Sequence, residues 1–214
     1  MSGSDKQRLL VIGKSRDPRC FRGKKSLPVV YRSSAKAWMT SDIFREWLKD
    51  FNKQMVSQNW KVLLLVDNCS AHPKDAADRL SNVKQEFLLS NTTSVIQPCD
   101  QGIIINLKTL YRSQVVRKII NEIDSVCSAT DIARKLTLLY AVHLLSKAWK
   151  GVKTSTVVNC YRKAGFVQET VAEEEEEIDI PEGFNREEFL NYVDSDTDLV
   201  TTGYQQMKIS VPSS

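Results

Sequence analysis

The chain has 214 residues, 42% of them hydrophobic, and carries a formal net charge of +4. That is enough apolar material for the core of one ordinary domain, but no stretch approaches the roughly 18 to 20 consecutive apolar residues of a bilayer span, so membrane spanning and classical secretion are not expected. The five cysteines (Cys20, Cys69, Cys99, Cys127, Cys160) are odd in number, widely spaced and form no C-x-x-C pair, which speaks against a disulfide framework or zinc knuckle and for a reducing compartment.

Arg8 to Gly13 (RLLVIG) is a short apolar run between polar segments and reads as a buried strand, followed by a basic loop from Lys14 to Lys25. Pro28 to Tyr31 reads as a second short strand. Thr40 is an N-cap candidate, and Ile43, Phe44, Trp47, Leu48 and Phe51 behind it fall on one helical stripe. Lys61 to Val66 (KVLLLV) is apolar without alternation, the pattern of a central strand covered on both faces in an α/β arrangement. Asn82 to Leu89 gives a weaker strand and Asn91 to Pro98 a polar, turn-rich connection. Helical patterns then run from Gly102 through Ile123, from Ile132 to Trp149 and from Thr154 to Lys163, so strands followed by helices imply an α/β core with a helical addition.

The charge divides sharply near Gly165. Residues 1–165 hold 28 of the 30 Lys and Arg but 13 of the 26 Asp and Glu, a net of +15, whereas residues 166–214 carry −11. A body that basic suits a partner with a dense phosphate backbone, since each neutralised phosphate releases counterions. Glu173 to Glu177 is a run of like charge expected to be solvated. From Pro181 to Leu199, Phe189, Leu190 and Val193 return at helical spacing, as in a short helix that docks on a basic surface or folds on a partner.

Two acids stand out. Asp67 ends the best strand, in LLLVDNCSAHP, and strand carboxyl ends are where open α/β sheets present functional groups. Asp100, in QPCDQG, directly precedes a long helix. Taken singly, each also reads as a loop or helix cap. His72 follows Cys69 at C-x-x-H spacing, but no second pair accompanies it, so it reads as a structural or loop histidine. Lys14, Arg16 and Arg19 in the basic loop, with Lys108, Arg112, Arg117 and Lys118 on the long helix, are candidate phosphate contacts. The helix set reads equally well as a solvent-facing basic stripe.

The pair in context resembles a known family. VDNCSAHP and QPCDQG, with LLVIGKSRDPRCF at residues 9–21, SLPVVYRSSAKAWMTSDIFREWL at 26–48, NTTSVIQPCDQG at 91–102 and SKAWKGVKTSTVVNCYRKAGF at 146–166, are similar to the DDE superfamily endonuclease domain of pogo and Tigger transposases. The centromere-binding and jerky-like proteins derived from those elements share it. The resemblance covers about residues 4–166. It implies an RNase H-like α/β fold that hydrolyses phosphodiesters and transfers strands with two divalent ions, Mg²⁺ or Mn²⁺, held by three acids. Asp67 would be the second acid and Asp100 the third. The first is expected on a strand upstream of LLVIGK, and neither Asp5 nor Asp17 follows an apolar strand. The expectation is therefore a domain over residues 1–166 truncated at its first strands and catalytically incomplete, with a flank exposed on Arg8–Gly13 or Lys61–Val66. Residues 167–214 are expected to form an acidic, largely disordered tail. DNA in the nucleus is the implied partner, with self-association and a protein partner for the tail as further expectations. A non-enzymatic DNA- or chromatin-binding protein, whose acidic tail recruits or autoinhibits, is the alternative.

Overall fold

The computed structural model describes residues 3–89, 92–123, 136–167 and 180–195. The first apolar run forms β1 (Leu10–Gly13), which pairs in parallel with β2 (Val30–Ser33) in the register Leu10 to Val30 through Gly13 to Ser33. The basic loop joins them, and the Arg8 guanidinium closes the entry by donating to the Val29 carbonyl at 3.2 Å. α1 (Ser41–Ser57) begins where the sequence places it. Thr40 Oγ1 accepts from the Ile43 amide at 3.3 Å, satisfying one of the donors a helix start leaves free. Its stripe then buries Ile43, Phe44, Leu48 and Met55.

β3 (Val62–Val66) and β4 (Val83–Phe87) pair in parallel from Val62 opposite Val83 to Val66 opposite Phe87. α1 covers this pair, and Phe44, Leu48, Met55, Val66 and Val83 make the buried cluster beneath it. The connection between the strands carries no regular helix, yet Ala76, Ala77 and Leu80 still pack on the cluster. One expectation needs correcting. β3 is not a central strand covered on both faces: among the described residues the two sheets are separate pairs, and Leu63 is 53% exposed. An apolar run without alternation reports which side chains the strand carries, not how many neighbours it has.

A single helical turn, α2 (Thr93–Ile96), and a π-helical turn over Cys99–Ile103 lead into α3 (Ile104–Ile123). The helix read from Gly102 thus starts two residues later, because Gly102 has φ +148° and breaks the helical path. α3 packs along α4 (Leu138–Gly151), whose first turn is capped by the Thr137 hydroxyl. The start of the second predicted helix, Ile132 to Lys135, lies outside the described residues. α5 (Thr154–Lys163) coincides with the predicted span and packs on the π-helical turn. Within the segment read as an acidic tail, α6 (Arg186–Asp194) opens with a capping box between Asn185 and Glu188 and lies against α3, with Phe189 and Val193 wholly buried. Cys20, Cys69, Cys99 and Cys160 are free thiols, and Cys127 lies outside the described residues. Among the described residues no helix is long and apolar enough to cross a membrane.

Candidate functional site

Asp67 is the residue at which β3 stops, and the loop behind it is strapped to α1. The Ser41 hydroxyl donates to the Ser70 carbonyl at 3.3 Å, the His72 ring lies 4.5 Å from that of Phe44, and Arg45 pairs with Asp75 at 2.7 Å. The Arg45–Asp75 pair is exposed, and its guanidinium draws the Asp75 carboxyl below the ordinary carboxylate range. Inside the loop, the His72 amide bonds to the Cys69 carbonyl at 2.9 Å, and this turn brings the imidazole back onto the aspartate. His72 Nδ1 sits 2.6 Å from Asp67 Oδ1, an oxygen buried from solvent, and 3.4 Å from the Asp67 carbonyl. Sequence reasoning missed this role for His72. The available signal was a histidine five residues past a strand-end aspartate, with Pro73 turning the chain.

Asp100 arrives from the opposite side. It is not the cap of α3: it lies inside the π-helical turn, whose N-cap is Pro98, and its amide bonds to the Gln97 carbonyl at 3.0 Å. The chain kinks here, at Gly102, between this turn and α3. Gly102 permits it for two reasons. Its backbone takes the left-handed region, and a Cβ there would come 3.1 Å from Cys160 Sγ of α5. Glycine therefore lets α5 press directly on the turn that carries Asp100.

Asp67 and Asp100 are near enough to act on each other through their charge. Desolvation raises the Asp100 carboxyl above its ordinary value, and the charge of Asp67 raises it further. Desolvation likewise pushes up the Cys99 thiol, with Asp100 adding to the effect, and burial pushes up Tyr161. Two carboxylates in mutual repulsion are a locus where a divalent cation would be favourable, and their oxygen donors suit Mg²⁺ or Mn²⁺. Among the described residues no group of three or more His, Cys, Asp and Glu is placed to hold a metal ion.

The candidate phosphate contacts differ in how far they are already engaged. Lys14, Arg16 and Arg19 are exposed in the loop between β1 and β2. On α3, Arg112 is engaged by α6: its guanidinium lies 4.8 Å from the Tyr192 ring centre and donates to Ser195 Oγ at 2.8 Å. Lys118 pairs with Glu122 and lies 6.0 Å over the Tyr140 ring. Lys108 is half-buried and Arg117 exposed, beside Glu182.

Residues 1–161 match the family described as DDE superfamily endonuclease. The chain is similar to Tigger transposable element-derived protein 4 of Mus musculus, at 38% identity over 78% of this chain and 31% of that protein. It is 32% identical to ARS-binding protein 1 of Schizosaccharomyces pombe over 78% of this chain and 33% of the relative. To the major centromere autoantigen B of Homo sapiens it is 29% identical, over 77% of this chain and 26% of the relative. The chain thus spans about a third of the length of the curated relatives it matches. No solved structure gives a significant match.

Proposed function

The chain belongs to the DDE superfamily endonuclease family, as a transposase-derived protein of the pogo and Tigger type, and from that premise we propose that it is an RNase H-like, DNA-binding domain acting in the nucleus. Asp67 and Asp100 are its second and third acids. The observation that carries this reading is their convergence: residues 33 apart in sequence, one ending β3 and one in the turn before α3, are near enough for the charge of one to raise the other. In this fold a divalent ion, when bound, activates the attacking oxygen and stabilises the leaving one. The chain's own residues supply two carboxylates, and the His72 ring lies against the first. With no third ligand beside them among the described residues, the pair holds a cation weakly and is catalytically incomplete by itself.

Two features support the alternative of a non-enzymatic DNA- or chromatin-binding protein whose acidic segment autoinhibits or recruits: the +15 and −11 division of charge, and the helix of that segment lying on α3. Self-association belongs to this proposal as well. The separating experiment is nicking of labelled duplex DNA in Mg²⁺ or Mn²⁺ by the chain beside its Asp67→Ala and Asp100→Ala variants, paired with a binding titration at two salt concentrations. Salt-sensitive binding without nicking is the expected result. Nicking lost in both variants would show that an acid outside the described set completes the site, and absence of binding would sink the DNA-binding reading.

A further inference from the structure

We propose that α6 is a built-in competitor for DNA, an acidic helix seated on the face of α3 from which it takes Arg112 out of phosphate contact; the proposal rests on the DNA-binding reading above. The seat is a defined one. Phe189 and Val193 are wholly buried, Pro181 ahead of the helix is buried with them, and the capping box of Asn185 and Glu188 sets where the helix starts. Above these anchors, Arg112 is taken up from three directions. Its Nη1 donates to Ser195 Oγ at 2.8 Å and to the Tyr192 carbonyl, while the guanidinium plane lies 4.8 Å from the Tyr192 ring centre. Hydroxyl and carbonyl take up the Nη1 end of the guanidinium, and the ring covers a face of it, so a phosphate approaching that end meets donors already engaged. A phosphate gripped by the Nη1 and Nη2 fork has to displace these partners.

Charge points the same way. Residues 180–195 hold Glu182, Glu187, Glu188 and Asp194 against Arg186 alone, and they lie on a helix bearing Lys108, Arg112, Arg117 and Lys118. Glu182 and Arg117 line the same cleft. A helix of nine residues does not hold together alone in water, so the helical state of α6 and its docking are one event. Such a segment opens as a unit and exposes Arg112 together with the surface beneath Phe189. A duplex gains a cation and loses an acidic neighbour when α6 leaves, whereas α6 gains only by staying.

The test uses the full chain and a duplex of random sequence, with binding followed at several salt concentrations. Phe189→Ala with Val193→Ala, which loosens α6, is expected to bind about three- to tenfold more tightly and to steepen the log–log salt dependence by about one, the signature of an added phosphate contact. Arg112→Ala placed in that background abolishes the gain, while Arg112→Ala in the unsubstituted chain costs little, because its Nη1 end is already engaged. Hydrogen exchange on the unsubstituted chain decides the matter should the double variant fail to fold: amides 186–194 lose protection on adding DNA. Protection retained with DNA bound, or equal affinity in a folded double variant, overturns the competition and leaves DNA binding standing. No binding by any variant, whether α6 is released or not, overturns both.

Discussion

The Asp100 carboxyl is held above its ordinary value first by desolvation and then by the charge of Asp67, so its ionised form is costly in the folded chain. The sign for stability follows. A group whose folded pKa exceeds its unfolded value contributes most below the unfolded value, and that contribution is lost as pH rises through the raised folded value. Asp100→Asn is therefore expected to melt at a higher temperature than the unsubstituted chain near neutral pH. The gain shrinks toward zero as pH falls below the ordinary aspartate value of about 3.9, where the Asp100 carboxyl is protonated in either state. Melting curves across that range check it, and a constant difference at every pH would assign the effect to shape instead of charge. Asp67→Asn brings the pKa of Asp100 partway down, because desolvation remains. At Gly102 the expectation is the reverse. Alanine there meets both the positive φ and the Cys160 sulfur, and Gly102→Ala is expected to cost about 1 to 3 kcal/mol in denaturant unfolding. Neither the π-helical turn nor the His72 contact was legible beforehand. Both depend on which residues the fold brings opposite one another, and a linear pattern records only neighbours in sequence.

Elements set by their own periodicity were legible, and those set by partners were not. α1 appears where stripe and cap place it and α5 over its predicted span, since each is an amphipathic helix whose apolar face is written into consecutive turns. β4 covers Val83–Phe87 inside the predicted Asn82 to Leu89, and β2 covers Val30–Ser33, shifted from the expected Pro28 to Tyr31 by its pairing with β1. β3 is the instructive case. Its composition is that of a strand buried on both sides, but its pairing with β4 alone leaves Leu63 half-exposed while Val66 is buried. The consequence is measurable. Leu48, with no exposed surface at the centre of the α1 cluster, is expected to lose about 2 to 5 kcal/mol on replacement by alanine, transfer and cavity costs combined. Leu63→Thr is expected to lie within about 0.5 kcal/mol of the unsubstituted chain. If the two variants shifted the denaturant midpoint equally, β3 would have to be covered by something the two-stranded pair does not supply.

For the whole molecule, the net charge of +4 is the residue of two large opposing terms that the fold partly superposes by laying α6 on α3. What remains open to a polyanion is uneven. Lys14, Arg16 and Arg19 stand exposed together in the loop between β1 and β2, well apart in sequence from the helix whose Arg112 is engaged. Phosphate contacts release counterions and leave a mark in the salt dependence, so the number of cations used can be counted without locating the duplex. Replacing Lys14, Arg16 and Arg19 together by alanine is expected to flatten the log–log slope of DNA binding by up to about three, and to weaken binding alike on unrelated sequences, because phosphate contacts position without specifying. The fold should be unmoved, since all three side chains are exposed and the turn they occupy is closed by backbone bonds such as Phe21 to Pro18 at 2.9 Å. An unchanged slope with an intact fold would move the DNA-contacting surface off this loop and onto the helical half, where Lys108 and Arg117 are the next cations to remove.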